Sequence, residues 1–115
     1  MKKLCAIRDI CRALGVFESD FLKEHDISLN EGMILCSLKE SRLSSGEIAK
    51  QINLTCSNTS KLIRTIEERG YIERVLGEED RRQMYFSLTS SGLEKVKKIE
   101  DDSTPLTGPL KKLVK

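Results

Sequence analysis

The chain has 115 residues, 38% of them hydrophobic and 33% charged, with no low-complexity run; this suits one soluble, helix-rich globular domain with a single core and argues against disorder. Its net charge of +2 excludes an argument from bulk charge for a polyanion partner, so any such case must rest on where particular side chains sit. Four cysteines without a CxxC pair and a single histidine, His25, exclude an evident zinc site, and no metal or cofactor is expected.

The start, Met1-Lys2-Lys3, is basic, but Arg8, Asp9 and Arg12 interrupt any apolar core of a secretion signal. No apolar stretch approaches membrane-spanning length. The expectation is a cytoplasmic protein with no membrane partner, whose thiols (Cys5, Cys11, Cys36 and Cys56) stay reduced.

From Leu4 to Leu22 apolar residues recur as Leu4, Ile7, Cys11, Leu14, Phe17 and Phe21, one stripe of a long helix that His25-Asp26 closes. Ser28-Leu29-Asn30-Glu31 reads as a capping box opening a second helix to about Lys39, with Met33, Ile34, Cys36 and Leu38 partly buried. After the connector Ser41-Arg42-Leu43, Ser44-Ser45-Gly46-Glu47 is a second capping box, opening a short helix with Ile48, Ala49 and Ile52 inside. Asn53 suits a left-handed helix end, and Thr55 suits the N-cap of a fourth helix, Cys56 to Arg69, which Gly70 terminates. Thr59, Leu62, Ile63 and Ile66 face inward on that helix, while Ser57, Asn58, Lys61, Arg64 and Thr65 make a polar face. Tyr71–Leu76 and Met84–Leu88 are strand-like runs around a charged tip, 77–82. Thr89-Ser90-Ser91-Gly92 caps a further helix striped by Leu93, Val96 and Ile99. A break from Asp101 to Pro109 precedes a last turn or two with Leu110, Leu113 and Val114.

A short helix, a tight turn and a polar-faced helix make a helix-turn-helix, and the hairpin after it makes a wing. The fold class is therefore mainly α with a small β-hairpin wing (α+β), a winged helix-turn-helix. The polar face would suit base edges and phosphates, and would equally suit solvent. From Thr55 to Leu88 six basic residues (Lys61, Arg64, Arg69, Arg74, Arg81, Arg82) meet six acidic ones (Glu67, Glu68, Glu73, Glu78, Glu79, Asp80). That balance keeps open a second reading, a winged-helix module that binds protein and has little DNA affinity. The chain shows no nucleophile–base pairing and no phosphate loop, so an enzyme is not expected.

From Ser44 to Gly92 the sequence resembles the MarR family (multiple antibiotic resistance regulators). Ser45-Gly46-Glu47-Ile48-Ala49 is similar to the family's first helix-turn-helix helix, and Leu62–Glu67 followed by Arg69-Gly70-Tyr71-Ile72 to its recognition helix running into the wing. Asp80-Arg81-Arg82 then matches the D-x-R wing signature, and Leu88-Thr89-Ser90-Ser91-Gly92 the L-T-x-x-G helix start. The resemblance implies a homodimeric, sequence-specific transcription regulator, expected to repress, on a pseudo-palindromic site in double-stranded DNA. Ser57, Asn58, Lys61, Arg64 and Thr65 would meet the major groove, helped by Ser45, and the wing would engage through Arg74, Asp80, Arg81 and Arg82. Arg82 would enter the minor groove, where negative potential attracts guanidinium, while Asp80 would hold the wing by an ion pair.

By the same resemblance, 1–25 and 93–115 of this single domain (1–115) are dimerisation helices using Leu4, Ile7, Cys11, Leu14, Leu110 and Leu113, and 28–92 is the DNA-binding lobe. A small-molecule effector would act from a pocket between the two, reduced here because Pro105, Gly108 and Pro109 break a short C-terminal segment. A bacterial or archaeal nucleoid location would follow. Thr59 stands where family members usually carry an aliphatic side chain. Some members sense peroxide through an N-terminal cysteine, the region of Cys5 and Cys11 here, and Cys56 lies at a helix start that favours thiolate. Buried or inert thiols are the expectation for all four.

Overall fold

A computed structural model describes residues 2–77, 79 and 82–114. Among them the order is α1 (Lys2–His25), α2 (Leu29–Leu38), α3 (Ser45–Ile52), α4 (Cys56–Glu68), β1 (Ile72–Leu76), β2 (Met84–Leu88), α5 (Ser90–Glu100) and α6 (Pro109–Leu113). The mainly helical chain with one antiparallel hairpin is the architecture expected from the sequence. Contacts divide it into two compact units, residues 30–101 and the pair of segments up to Leu29 and from Asp102 onward. Residues 93–101, grouped by the resemblance with the C-terminal helices, fall in the unit of the hairpin.

In the unit of residues 30–101 the core is aliphatic. Ile34, Leu35, Ile48, Ile66 and Val96 are fully buried, joined by Ile63, Ile72, Leu43 and Phe86. On α2 the buried apolar side chains are Ile34, Leu35 and Leu38, whereas Met33 and Cys36 are exposed, contrary to expectation. Leu93 on α5 is exposed too, and Gly92 and Val96 are that helix's buried positions. Both errors arise because a helix this short buries a narrow arc, and neighbours one position off the arc turn to solvent.

The hairpin pairs Ile72 with Leu88 through to Leu76 with Met84. Its second strand also bonds, on its other edge, to Leu43: Leu43 donates to the Phe86 carbonyl (3.3 Å) and Phe86 to that of Leu43 (2.8 Å). The start of α5 is strapped to the turn after α4. Thr89 Oγ1 donates to the Gly70 carbonyl (2.6 Å) and accepts from the Gly92 amide (3.1 Å), while the Thr89 amide donates to Tyr71 O (3.0 Å). A Cβ at Gly92 would lie 2.0 Å from that Tyr71 oxygen, so only glycine fits. The Leu88–Gly92 signature is thus a set of contacts that closes the lobe.

The other unit pairs the 24-residue α1 with α6. Its apolar stripe is buried only toward the C-terminal end: Phe21 is buried and Phe17 half-buried, yet Leu4, Ile7, Cys11 and Leu14 are exposed. Tilted rings follow one another along that end, Phe17 to Phe21 at 6.1 Å between centroids and Phe21 to His25 at 4.6 Å. His25, itself buried, has its Nε2 2.8 Å from Asp102 Oδ2. Asp102 Oδ1 accepts the Thr104 amide (2.9 Å), which anchors the C-terminal segment. Hydrogen bonds from the Thr104 side chain and backbone, and then from His25, hold the Asp102 carboxyl down at about 2. Leu110 is 7% exposed, unlike Leu113 at 61%. Expected as a dimer contact, Leu110 is used up inside this unit, because it is the buried residue of a short helix docked on α1.

Candidate nucleic-acid interface

The turn between α3 and α4 is built by local chemistry. Ser44 caps α3: its hydroxyl accepts the Glu47 amide (3.2 Å) and Glu47 Oε1 accepts the Ser44 amide (2.9 Å). Asn53 takes the left-handed conformation (φ 56°), and Leu54 donates back to Ala49 O at 3.1 Å. Thr55 then caps α4 by accepting the Asn58 amide (3.1 Å). At its far end Gly70 (φ 82°) donates to Glu67 O and Tyr71 to Ile66 O, the paired bonds of a glycine-terminated helix. Each of these devices was legible in the sequence.

Helix α4 carries two opposed arcs. Thr59, Ile63 and Ile66 are buried. Ser57, Asn58, Lys61, Arg64 and Thr65 are all exposed. At 100° per residue the polar five span about 120°, centred roughly opposite the buried three. Thr65 Oγ1 donates within the helix to Lys61 O (3.0 Å), so its hydroxyl is partly engaged. Ser45, at the start of α3, is exposed.

The wing tip is closed by Gly77 donating to Gln83 O at 2.9 Å. Arg82, adjacent to that bond, is exposed. The Tyr85 hydroxyl donates to Gln83 Oε1. Asp80 and Arg81, expected at the tip, lie outside the described residues.

Arg74, expected among the wing's DNA contacts, is exposed and ion-paired. Its Nε lies 2.8 Å from Glu67 Oε2 and its Nη2 3.2 Å from Oε1, a two-pronged ion pair, and its guanidinium lies 5.7 Å over the Phe86 ring. That hydrogen bond and charge hold Arg74 still more firmly protonated. In the sequence Glu67 is one of six acidic residues between Thr55 and Leu88. The two residues meet across a helix end and a strand, and no local periodicity reports such a meeting.

The four thiols are free and exposed rather than buried. Cys36 is pushed above its ordinary value by partial burial and by the Glu100 carboxylate, which disfavours the reactive thiolate. Glu100 is engaged by Lys39 at 2.6 Å. Among the described residues no His/Cys/Asp/Glu cluster could hold a metal, and no helix is long and apolar enough to cross a membrane.

Comparison with known proteins gives this geometry a relationship. The HTH-type transcriptional regulator SarZ of Staphylococcus haemolyticus is 26% identical over 74 residues, covering 64% of this chain and 50% of SarZ. The HTH-type transcriptional regulator PrsX of Escherichia coli is 36% identical over 78 residues, covering 65% of this chain and 47% of PrsX. The chain therefore spans about half the length of the curated relatives it matches. A crystal structure of the S. aureus MepR–DNA complex superposes with a TM-score of 0.65 at 27% identity, over 82% of this chain and 78% of MepR. The family model described as MarR matches residues 27–84, half of the chain and the stretch that carries the turn, the polar-faced helix and most of the hairpin. The chain belongs to the MarR family of helix-turn-helix transcriptional regulators.

Proposed function

We propose that the protein is a sequence-specific regulator that binds a pseudo-palindromic site in double-stranded DNA as a homodimer, and that it represses by occupying a promoter. The observation that carries this reading is the exposed polar arc of α4, set opposite its buried arc and followed by a hairpin with Arg82 beside its tip. Ser57, Asn58, Lys61 and Arg64 would meet the major groove, with Thr65 and Ser45 at its margin, and Arg82 would enter the minor groove. Asp80 and Arg81 keep the roles the resemblance implies. The MepR structure with DNA supports the polyanion as partner. The exposed Leu4, Ile7, Cys11 and Leu14 stripe, with Leu113 exposed on α6, supports a second copy of the chain as the other. Two recognition helices would then sit about 34 Å apart. A small molecule that changed this spacing would release the DNA, since a two-fold site accepts one spacing.

Selection from random duplexes followed by sequencing tests the reading, with Arg82→Ala alongside the wild type. An enriched inverted repeat, bound about tenfold more weakly by Arg82→Ala, is the expected result. Weak binding without enrichment, indifferent to Arg82, would replace DNA by a protein partner.

A further inference from the structure

Arg74 and Glu67 make an arrangement that the DNA contacts do not require. Ile72, Arg74 and Leu76 share one face of β1, because side chains alternate along a strand. Along that face burial runs out, from 2% exposure at Ile72 to 53% at Leu76. Arg74 sits where the hairpin leaves the core. Its cross-strand partner Phe86 is the last buried residue of β2 on that side, and the guanidinium lies over the Phe86 ring. From there the two prongs reach Glu67, in the last turn of α4.

We propose that the Glu67–Arg74 pair is a strut that fixes the pitch of the wing against the recognition helix, and that Arg74 is a positioning residue rather than a phosphate ligand. The proposal rests on the DNA-binding reading above. The hairpin is held at its β2 edge by the backbone bonds to Leu43, and the strut holds it at its β1 face. With Ile72 and Phe86 buried at its base, the hairpin can bend only beyond them, and a tie on the face at Arg74 resists that bend. A forked pair also fixes direction, which a point charge does not. The lever is long enough to matter. Arg82 lies four residues before Phe86, at most about 13 Å at 3.3 Å per residue, so a tilt of about 10° displaces it by up to about 2 Å, most of a hydrogen-bond length. A recognition helix and a wing that must enter neighbouring grooves together cannot absorb that error.

The two roles for Arg74 predict opposite signs. Binding of the selected duplex would be measured by fluorescence anisotropy at several salt concentrations for Glu67→Gln, Arg74→Lys, Arg74→Gln and the double Gln variant. For a strut, Glu67→Gln weakens binding three- to tenfold although it removes a negative charge, and Arg74→Lys weakens it comparably. The double variant is then no worse than either single one, and the slope of log affinity against log salt is unchanged. If Arg74 grips a phosphate, Glu67→Gln tightens binding, Arg74→Lys retains it, and Arg74→Gln lowers the salt slope by about one; any of these overturns the proposal. Amide exchange in the free protein supplies a readout independent of DNA. Exchange at Gly77 and across β1 and β2 is expected to accelerate in Glu67→Gln, with α5 unaffected. Unchanged hairpin exchange overturns the strut whatever the binding data say. If the wild type binds no selected duplex, the DNA-binding reading itself falls, and the strut's role in DNA engagement falls with it.

Discussion

At the scale of single residues, contacts that repeat along one helix and ties between distant segments have different origins. The polar set on α4 follows from one helical period. The ties between His25 and Asp102, and between Glu67 and Arg74, do not, since they span 77 and 7 residues across changes of secondary structure. Thr59 illustrates a conflict that the sequence showed and the structure explains. The side chain is fully buried, and its hydroxyl has no hydrogen-bond partner among the described residues. Thr59→Val keeps the shape and removes a desolvated hydroxyl, so it should stabilise the fold by about 1 kcal/mol, read as a rise in Tm of a few degrees; a fall would mean that the hydroxyl has a partner. Asp102 sets a pH dependence whose sign is fixed. Its folded value, about 2, lies below the ordinary 3.8, so ionised Asp102 contributes stability above pH 4, and that contribution is lost as the pH falls toward 2. Exchange of the α6 amides should rise across that interval, and Asp102→Asn should remove the transition. An α6 indifferent to acid in the wild type would contradict the anchor.

At the scale of elements, caps and turn residues mark boundaries because they act within a few residues of themselves. The Ser44–Glu47 box, left-handed Asn53, the Thr55 cap and Gly70 each satisfy backbone groups that a helix end leaves open. Which flank of a short helix is buried is less local, and so Met33, Cys36 and Leu93 turned out exposed. The segment around Gly92 joins both kinds of information. Thr89 is a recognisable cap, but the need for glycine three residues on comes from the Tyr71 carbonyl of a different element. Gly92→Ala should therefore cost about 1–3 kcal/mol or more, since the atom in the way is backbone and cannot rotate aside. Denaturant unfolding measures this directly. A loss below a few tenths of a kcal/mol would show that α5 can shift without penalty.

At the scale of the whole molecule, the exposed stripe on α1 is the feature with the largest consequence. Ile7 at 48% and Leu14 at 40% exposure lie on a 24-residue helix whose other end is packed. Contiguous exposed apolar surface of this kind is characteristic of association sites. The expected outcome for Ile7→Glu with Leu14→Glu is a folded monomer, checked by sedimentation at micromolar concentration with circular dichroism as the control. A wild type that sediments as a monomer would remove the homodimer from the proposal. Loss of DNA affinity in the double variant, with α4 untouched, would link assembly to binding.

The element order, the caps of α3, α4 and α5, the opposed arcs of α4 and the resemblance from Ser44 to Gly92 come from the sequence alone, because all of these depend on spacing within one or two helical turns or one hairpin. The tie of Arg74 to Glu67, the burial of Leu110 inside its own unit and the grouping of α5 with the hairpin arise in the folded chain. Those outcomes depend on which surfaces meet in space, and contact between distant segments leaves no period in the chain that makes it.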